Sequence, residues 1–582
     1  MLAPTLLHQL VAASASLAPD SLAFSFEARP GSPRAGTLQH ASYAQLAEQI
    51  GQCASGMMDL GLQRGERVAI YIEKRPEAVV ASFAAAAAGL CFVPVNPLLK
   101  AEQVGYILRD CNVRLLLSSP GRLAALAPVL AQCPDLRFVV ATDTAKVTPA
   151  ADVLPSGPGL TAAAAPAVAV AMGWDNLLEA PPRSGHRVVD RDMAAILYTS
   201  GSTGHPKGVV LSHHNLVAGA HSVVSYLQNN AQDVLLAALP LSFDAGFSQL
   251  TTAFLSGARV VLLNYLLPRD LLKTMARERV TGLTAVPPLY MQLASQVWPD
   301  EIRQTLRYFA NTGGHMPLET LKQIRQQVPA AQPFLMYGLT EAFRSTYLPP
   351  EQVDVRPDSI GKAIPNAEIL VLREDGSLCD ADEPGELVHR GALVAQGYWN
   401  DAEKTAERFK PLPGTLRLGT GLQLPELAVF SGDTVRRDAE GYLYFVARRD
   451  DMIKTSGYRV SPLEVEEILY GSPLVAECVA FGVPHASLEQ VIQVVLAGHG
   501  TGLPDGAQQN TPSDAALKSA ELLGLCKARL PAYMVPFGLH WATQALPRNP
   551  NGKLDRKAIA GQWASAQAAA STDQPASRPA KL

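Results

Sequence analysis

The sequence predicts an α/β protein, with a large N-terminal domain of layered sheets and helices followed by a smaller α+β domain. Apolar, β-branched runs alternate with helical patterns over most of the chain, which is typical of buried, largely parallel strands joined by helices. The 582 residues are also too many for one hydrophobic core. Near residue 450 the charged segment "RRDDMIK" precedes a new helix start and a new strand.

The first strand–helix–strand unit is the clearest. Two apolar runs, "RVAIYI" (67–72) and "CFVPV" (91–95), are predicted strands on either side of a helix from Pro76 to Gly89. Further predicted strands of this kind lie at 114–119, 137–142, 233–240, 259–263 and 282–288. Residues 143–187 are rich in Pro, Ala and Gly, and we expect them to form an excursion over the surface.

These patterns give a domain organisation. We expect one domain over residues 1–449 and a second over 450–565. The end of the chain, "ASAQAAASTDQPASRPAKL", has no core-forming side chains, so 566–582 is predicted to be a disordered tail.

The bulk composition excludes several function classes. The content of 48% hydrophobic and 18% charged residues, with a net charge of −4 and no Lys/Arg block, is typical of a soluble globular protein and argues against nucleic acid and anionic membranes as partners. Seven scattered cysteines form no CxxC pair, so they indicate buried thiols in a reducing cytosol rather than a zinc site. No apolar run reaches the roughly 20 residues of a membrane helix, and no basic signal-peptide region begins the chain. A cytoplasmic location follows as the expectation.

One loop points to nucleotide phosphates. The segment "YTSGSTGHPKGV" (198–209) offers glycines whose backbone N–H groups can converge on phosphate oxygens, and it adds hydroxyl and lysine donors. It is not the kinase-type P-loop, because Pro206 stands where that loop has Gly and Gly208 stands where it has Ser or Thr. The alternative is a flexible Ser/Gly turn between a strand and a helix.

The longer segment "YTSGSTGHPKGVVLSHHNL" resembles the phosphate-loop signature of the adenylate-forming (AMP-binding) ligases, which include acyl-CoA synthetases, nonribosomal adenylation domains and luciferases. The resemblance covers nearly the whole chain, from "YAQLAEQI" and "FVPVNP" to "PRNPNGKLDR". Within the family the chain is most similar to the acyl-CoA ligases associated with exosortase-type polysaccharide clusters. The resemblance implies an adenylation domain and a C-terminal lid. It also implies activation of a carboxylic acid with ATP and Mg²⁺, followed by transfer to a thiol.

The resemblance assigns roles to residues in four segments. Tyr337 of "MYGLTEA" would stack on adenine, Thr340 would contact the α-phosphate and Glu341 would hold Mg²⁺. The ribose hydroxyls would bind Asp433. The full set of implied ATP contacts is Thr199, Ser200, Gly201, Ser202, Thr203, Gly204, Lys207, Gly313, Gly314, Tyr337, Asp433 and Arg448.

Besides the phosphate loop, the other three segments also have a purely structural interpretation: a capped turn at 336–342, a tight Gly-Gly turn at 311–317, and a hairpin around "DAEG" with solvent-exposed charges at 430–451. The family usually has Gly where Ala447 precedes Arg448, a difference that affects local packing only.

The small domain carries the remaining implied residues. Lys553 follows the turn dipeptide Asn551-Gly552, and it would neutralise charge at the reacting carboxylate and α-phosphate. Asp450 matches the family's hinge position, while Gly457 and Arg459 match its thiol tunnel. The alternatives are one more exposed lysine at 553, a turn residue at 450 and a bend before a helix at 457.

The acid is indicated by "LPLSFDAGFSQL" (239–250), in which Phe243 takes the place of the histidine of many acyl-CoA ligases. A carboxylate buried at Asp244 needs a cation, and a substrate ammonium would supply one, which favours an amino or imino acid over a plain fatty or aryl acid. Alternatively, Asp244 caps a helix, or it pairs with Arg344. The other candidates for the acid pocket are Pro287, Pro288, Phe343 and Arg344.

Two further questions stay open at this level. The thiol acceptor is either free CoA or the phosphopantetheine of a separate carrier protein. A luciferase-like monooxygenase or a non-catalytic family member would share the fold. The non-catalytic alternative predicts loss of Glu341, Asp433, Arg448 or Lys553, and all four are present.

Overall fold

The structure is a computed structural model. It describes residues 3–28, 37–143, 170–199, 206–413, 426–448, 451–455, 458–485, 488–498, 512–550 and 552–572. In this part of the chain three sheets and the helices packed on them account for the regular structure. No helix among the same residues is long and apolar enough to cross a bilayer.

The elements as far as Thr199 belong mostly to one α/β layer. In order, they are α1 (Gln9–Leu17), β1 (Leu22–Glu27), β2 (Leu38–Ser42), α2 (Tyr43–Asp59), β3 (Arg67–Tyr71), α3 (Pro76–Ala88), β4 (Cys91–Pro94), α4 (Ala101–Asp110), β5 (Val113–Ser118), α5 (Pro120–Leu130), β6 (Phe138–Ala141), β7 (Val170–Gly173), α6 (Trp174–Leu178) and β8 (Met193–Thr199).

Except for its first strand, which joins the first sheet, the middle of the chain builds the second α/β layer. Its elements are β9 (Lys207–Ser212), α7 (His213–Leu227), β10 (Val234–Ala237), α8 (Asp244–Ser256), β11 (Arg259–Leu262), α9 (Pro268–Glu278), β12 (Gly282–Ala285), α10 (Pro287–Ala294), α11 (Asp300–Thr305), β13 (Tyr308–Asn311), α12 (Leu318–Gln327) and β14 (Gln332–Tyr337).

The remaining elements are mostly antiparallel strands. They are β15 (Thr346–Leu348), β16 (Ser359–Ala363), β17 (Ala367–Leu372), β18 (Gly385–Gly391), α13 (Ala402–Arg408), β19 (Phe409–Pro411), β20 (Leu427–Arg437), β21 (Leu443–Arg448), β22 (Ile453–Thr455), β23 (Tyr458–Val460), α14 (Pro462–Tyr470), β24 (Glu477–His485), β25 (Glu489–Ala497), α15 (Pro512–Arg529), β26 (Gly538–Trp541) and α16 (Arg556–Thr572). Short 3₁₀ turns occupy Thr340–Ala342, Pro350–Gln352 and Ala532–Met534.

Two large sheets face each other across shared helices. One has the described order β7-β6-β5-β3-β4-β8-β9. The other contains the parallel run β14-β13-β12-β10-β11-β1 and continues from β14 into antiparallel strands. Phe83 of α3 stacks on Phe247 of α8 with ring centroids 5.9 Å apart, so helices of the two layers meet in one core. Parallel strands covered by helices confirm the predicted α/β class.

The third described sheet, β23-β22-β25-β24 with β26 beside β25, forms the smaller α+β part with α14, α15 and α16. It has its own cluster of buried side chains, centred on α14 and the β24–β25 pair. The proposed domain boundary falls at residues 449–450, which lie outside the described residues. The boundary therefore stays a prediction.

Two expectations about irregular segments are wrong in part. Residues 170–178 are not a surface excursion, because β7 pairs in parallel with β6 and α6 follows directly. Residues 566–572 are not disordered, since they complete α16. Alanine has the highest helix propensity of all residues, and this alanine-rich segment continues a helix that has already begun.

Candidate active site

Lys553 belongs to the smaller α+β part and lies on a turn that faces the large part of the chain, which contains the two large sheets. The Asn549 backbone N–H donates to the Lys553 carbonyl at 2.8 Å, and the Lys553 N–H donates to Asn549 Oδ1 at 3.0 Å. Gly552 closes the turn with a φ of +81°, in the left-handed region that glycine adopts without strain. The expectation of a turn before Lys553 is confirmed, although Asn551 itself lies outside the described residues.

The Lys553 ammonium lies among charged and aromatic groups of the large part. Its Nζ is 5.7 Å from the centre of the Phe243 ring. A Cβ placed on Gly313, whose φ is +78°, would lie 3.0 Å from Lys553 Cε. Burial and, to a smaller extent, Arg448 lower the pKa of Lys553 to about 8, although Asp244 and Asp433 act in the opposite direction. At a pH near 8, Lys553 is therefore present in both its charged and its neutral form.

Asp433 and Arg448 are paired across a hairpin. They are register partners in β20 and β21, and the Arg448 Nε lies 3.4 Å from Asp433 Oδ1. Tyr337, at the end of β14, donates its hydroxyl to Asp433 Oδ2 at 2.5 Å. Burial raises the pKa of Asp433, and Arg448 opposes this. The hairpin that formed the structural alternative is thus present, and it brings the two implied nucleoside-binding residues together with Tyr337.

Glu341 follows in the 3₁₀ turn Thr340–Ala342, directly after β14. Its Oε1 accepts a hydrogen bond of 2.6 Å from the Tyr398 hydroxyl, and its carbonyl accepts one of 2.9 Å from Ala395. The Lys207 ammonium lies 5.3 Å from the centre of the same Tyr398 ring. Tyr398 therefore connects the implied metal ligand to the lysine of the phosphate loop.

The phosphate loop joins two antiparallel strands. Thr199 at the end of β8 pairs with Lys207 at the start of β9, which fixes both ends of the loop. The other implied loop residues, Ser200, Gly201, Ser202, Thr203 and Gly204, lie outside the described residues.

The Gly-Gly turn at Gly313 and Gly314 follows β13 and faces α10. A Cβ on Gly314 would lie 3.2 Å from Pro287, the first residue of that helix. Pro287 is buried and Pro288 is partly exposed, so it is Pro287 that touches the turn. The absence of side chains at 313 and 314 leaves space between Lys553 and α10.

Asp244 is the first residue of α8, and its side chain is buried. Its Oδ1 accepts from the Ala245 N–H at 2.8 Å, and its Oδ2 lies 3.6 Å from Arg344 Nη1. Burial raises the pKa of Asp244, while Arg344 and Lys553 lower it. Of the two alternatives considered for Asp244, the structure supports the pairing with Arg344. The capping alternative is wrong, because the helix begins at Asp244 itself, Phe243 takes the N-cap position, and no side chain caps the helix.

Phe343 has a strained backbone. Its φ of 57° and ψ of −46° place it in a γ-turn, closed by a hydrogen bond of 2.6 Å from the Arg344 N–H to the Ala342 carbonyl. The ring is fully buried against α7, where a Cβ on Gly219 would lie 2.5 Å from it. This turn fixes the direction in which Arg344 leaves the chain.

Contacts between the small and large parts hold Lys553 in place. The Asn96 amide donates to the Pro550 carbonyl at 2.7 Å. On the other side, Glu467 of α14 lies 2.7 Å from His315 Nε2 and accepts from the Leu318 N–H at 3.1 Å. These contacts flank the Gly-Gly turn and the Lys553 turn.

The hinge and tunnel residues cannot be placed in the same way. Asp450 and Gly457 lie outside the described residues, and Arg459 is described only as a backbone partner of Lys454 in the β22–β23 pair.

Sequence reasoning missed Tyr398 and Asn96. Tyr398 lies 57 positions from the carboxylate it binds and Asn96 lies 454 positions from the carbonyl it binds, so no local spacing links either pair. The only available signals were the segments "GYWN" and "PVNP", which contain these residues without indicating their partners.

Two family descriptions cover most of the chain. Residues 11–399 match the AMP-binding enzyme family, and residues 464–553 match the AMP-binding enzyme C-terminal domain. The chain belongs to the AMP-binding enzymes. The predicted family is confirmed, and with it the class of AMP-forming ligases. The finer similarity to exosortase-associated ligases stays a prediction.

Named AMP-binding enzymes resemble the chain along nearly its whole length. A linear gramicidin synthase protein of Brevibacillus parabrevis is 29% identical over 556 residues, which is 95% of this chain but only 10% of that protein. Long-chain-fatty-acid–CoA ligase FadD13 of Mycobacterium tuberculosis is 29% identical over 529 residues, 90% of this chain and 93% of the ligase. O-succinylbenzoate coenzyme A synthetase from Bacillus subtilis, solved with ATP and magnesium, has a TM-score of 0.72 at 25% identity, with 95% and 99% of the two chains covered.

Proposed function

We propose that this AMP-binding enzyme activates a small carboxylic acid as an acyl-adenylate and then transfers the acyl group to a thiol. The observation that supports this most directly is the position of Lys553, which reaches from the small part of the chain to Gly313 and Phe243 of the large part. A catalytic or ligand-binding role accounts for an ammonium with a strongly lowered pKa held close to Asp244, Arg448 and Asp433, because such shifted groups cluster at functional sites.

In the first half-reaction the carboxylate of the acid attacks the α-phosphorus of ATP, and pyrophosphate leaves. Lys553 would neutralise the charge that develops on the carboxylate and α-phosphate oxygens, and Thr340 would donate to the same phosphate. Asp433 would accept from the ribose hydroxyls, with Tyr337 against the base. Lys207 and the loop that it closes would hold the phosphates that leave.

Magnesium fits Glu341 as a single carboxylate ligand. Among the described residues no group of three or more His, Cys, Asp or Glu side chains is arranged to hold a metal ion. Mg²⁺ commonly binds one or two carboxylates and takes its other ligands from phosphates and water, so this arrangement suits a metal that arrives with ATP. Its contribution would be to offset the charge of the phosphates.

In the second half-reaction a thiol attacks the acyl carbon of the adenylate and AMP leaves. We propose that the small domain rotates about Asp450, withdrawing Lys553 and bringing Gly457 and Arg459 to the thiol tunnel. CoA and a carrier-bound phosphopantetheine both remain candidates for the thiol. A Gly457→Leu variant should then lose thioester formation and keep adenylation.

The structure weakens the argument for an amino acid. That argument required a substrate ammonium to pair with Asp244, and Arg344 already supplies a cation at 3.6 Å. A long fatty chain is also a poor fit, because two polar atoms that line the cavity between α8 and the strands β10, β12, β13 and β14, Arg344 Nε and Thr252 Oγ1, are buried without a hydrogen-bond partner among the described residues. We therefore propose a short acid, with the amino or imino acids as the second candidate.

We also propose that the reaction takes place in the cytosol. ATP and CoA are available there, and all seven cysteines are buried and free of disulfides, as expected of a protein kept in a reducing compartment.

The test is ATP–pyrophosphate exchange with a panel of short aliphatic, long fatty, aryl and amino acids, followed by thioester formation with CoA and with a holo carrier protein. We expect acid-dependent exchange with at least one short acid, and thioester formation with one of the two thiols. No exchange with any acid in the presence of Mg²⁺ would contradict the proposal.

A further inference from the structure

A small cavity lies beside the charged pair formed by Asp244 and Arg344. One face of α8 lines it with Ala245, Ser248, Gln249 and Thr252, and Arg344 lies at its edge. The remaining lining residues come from α7 and from the strands opposite α8: Val223, Leu227, Leu235, Gly282, Thr284, Tyr308 and Met336. The lining is mostly apolar, so the few polar groups in it, with the guanidinium of Arg344 among them, are the ones that can orient a ligand.

Arg344 is buried without enough hydrogen-bond acceptors. Its guanidinium carries five N–H donors. Within the described part of the chain its side chain makes one hydrogen bond, of 3.4 Å from Nη1 to the Phe343 carbonyl. The 3.6 Å separation from Asp244 is too long for a hydrogen bond. Its Nε is buried and has no partner among the described residues.

A second buried group in the same cavity is also unsatisfied. Thr252 Oγ1 has no hydrogen-bond partner among the described residues, and Thr252 and Arg344 both line the cavity. Gln249, in contrast, is engaged with the backbone, since its amide donates to the carbonyls of Leu236 and Thr284. Buried donors without acceptors are rare in folded proteins, so two in one cavity point to a ligand that brings an acceptor.

Arg344 also occupies the right place for a contact to the acid. It pairs with Asp244, which in turn lies close enough to Lys553 for the two charges to influence each other. The proposed reacting carboxylate binds at Lys553. A group a few bonds away from that carboxylate would therefore reach Arg344. A carboxylate is the best acceptor for a guanidinium, because charge-assisted hydrogen bonds are the strongest available.

We propose that Arg344 determines specificity by binding a second carboxylate, carried by a short acid at the end opposite the reacting one. This rests on the proposed function, and it narrows the substrate class to short dicarboxylic acids. Burial raises the pKa of Asp244, so its carboxyl can take up a proton when the second carboxylate binds, which leaves Arg344 to the ligand.

The test compares kcat/KM in pyrophosphate exchange for malonate, succinate and glutarate with that for two comparison acids. These are 4-methylpentanoate, in which an isopropyl group replaces one carboxylate of succinate, and L-norvaline. Wild type should prefer the best diacid over both comparison acids by roughly a hundredfold, because a site built for a polar group rejects analogues that lack it. Arg344→Met should abolish that preference, chiefly through a higher KM for the diacid.

Two further variants make the result interpretable. Arg344→Met leaves Asp244 buried and unpaired, so the double variant Asp244→Asn/Arg344→Met, which removes both charges, guards against misfolding. Arg259→Met is the matched control, because Arg259 is also paired with an acidic side chain, Glu278 at 2.9 Å, but lies outside the cavity. It should keep the wild-type preference.

Three results would overturn the inference: equal activity with succinate and 4-methylpentanoate, a preference for L-norvaline, or an unchanged diacid preference in both Arg344 variants. Equal activity would mean that solvent satisfies Arg344. Exchange with other acids but not with diacids would overturn this inference and leave the proposed function standing. Absence of exchange with every acid would overturn both.

Discussion

Titration of Lys553 should appear directly in the pH dependence of adenylation. Burial and the nearby Arg448 lower the pKa of this lysine from 10.5 to about 8. The proposed role requires the ammonium form, because only a charged group offsets the negative charge that develops on the reacting oxygens. Adenylation should therefore fall as the pH rises through about 8, well below the range in which an exposed lysine would titrate.

The size of the fall follows from the pKa. With a pKa of about 8, roughly 90% of Lys553 is protonated at pH 7 and roughly 10% at pH 9. The value of kcat/KM for pyrophosphate exchange, which reports groups of the free enzyme, should thus drop about tenfold between these two pH values.

The contribution of Lys553 to the free energy of unfolding should change in the opposite direction. A native pKa below 10.5 means that the folded state binds fewer protons than the unfolded chain, so this group favours folding more as the pH rises from about 8 to 10.5.

The decisive comparison is with Lys553→Arg. A guanidinium stays charged throughout this range, so the variant should show a lower but level rate between pH 7 and 9. Lys74→Met is the control, because Lys74 is the other described lysine with a strongly lowered pKa, about 7, and it donates to the carbonyls of Ala238 and Leu239. That variant should keep the fall. A fall that persists in Lys553→Arg would refute the reasoning, as would a level wild-type profile up to pH 10.

Other substitutions test the geometry around Lys553 and the nucleoside site. Gly313→Ala places a Cβ 3.0 Å from Lys553 Cε at a φ of +78°, so it should lower the free energy of unfolding in urea by roughly 1–3 kcal/mol and slow adenylation more than thioester formation. Asp433→Asn should raise KM for ATP by about tenfold in exchange assays, with little change in KM for the acid. Asn96→Ala removes the hydrogen bond to the Pro550 carbonyl, worth about 0.5–1.5 kcal/mol, and should slow adenylation severalfold without affecting thioester formation from supplied adenylate.

Local patterns were sufficient to predict much of the fold. The strand at 67–71, the helix Pro76–Ala88 and the strand Cys91–Pro94 lie where the apolar runs placed them. In each case the spacing of the apolar residues distinguishes a strand from a helix, and the alternation of strands and helices predicts the parallel sheet.

The segments that the sequence misplaced lack such a period. Val170–Gly173 joins the sheet as an edge strand because β6 offers it a parallel partner, and this partner cannot be inferred from a Pro/Ala/Gly-rich composition. The end of α16 is helical because alanine favours helix once a helix has started. The composition of a segment predicts how that segment behaves in isolation. It does not show which neighbouring strand or helix stabilises the segment in the fold.

In the candidate site, too, local motifs predicted some features, and other features depend on contacts between residues distant in the sequence. Residues implied by motifs, such as Tyr337 and Asp433, meet in the structure with a 2.5 Å hydrogen bond. The pair Asp244–Arg344 was one of several alternatives in the sequence, and only its 3.6 Å separation in the fold selects it. The unsatisfied Nε of Arg344 had no signal in the sequence at all, because hydrogen-bond saturation depends on every neighbour at once.

The central claim is that Lys553 acts in adenylation and not in thioester formation. The measurement is the rate of each half-reaction in Lys553→Ala, with pyrophosphate exchange for the first and CoA or carrier acylation from supplied acyl-adenylate for the second. Exchange should fall by roughly 10²–10³ and acylation should stay close to wild type, while Lys527→Ala, an exposed lysine on α15 of the same small part, should change neither rate. Equal loss of both half-reactions in Lys553→Ala, or full retention of both, would contradict the claim.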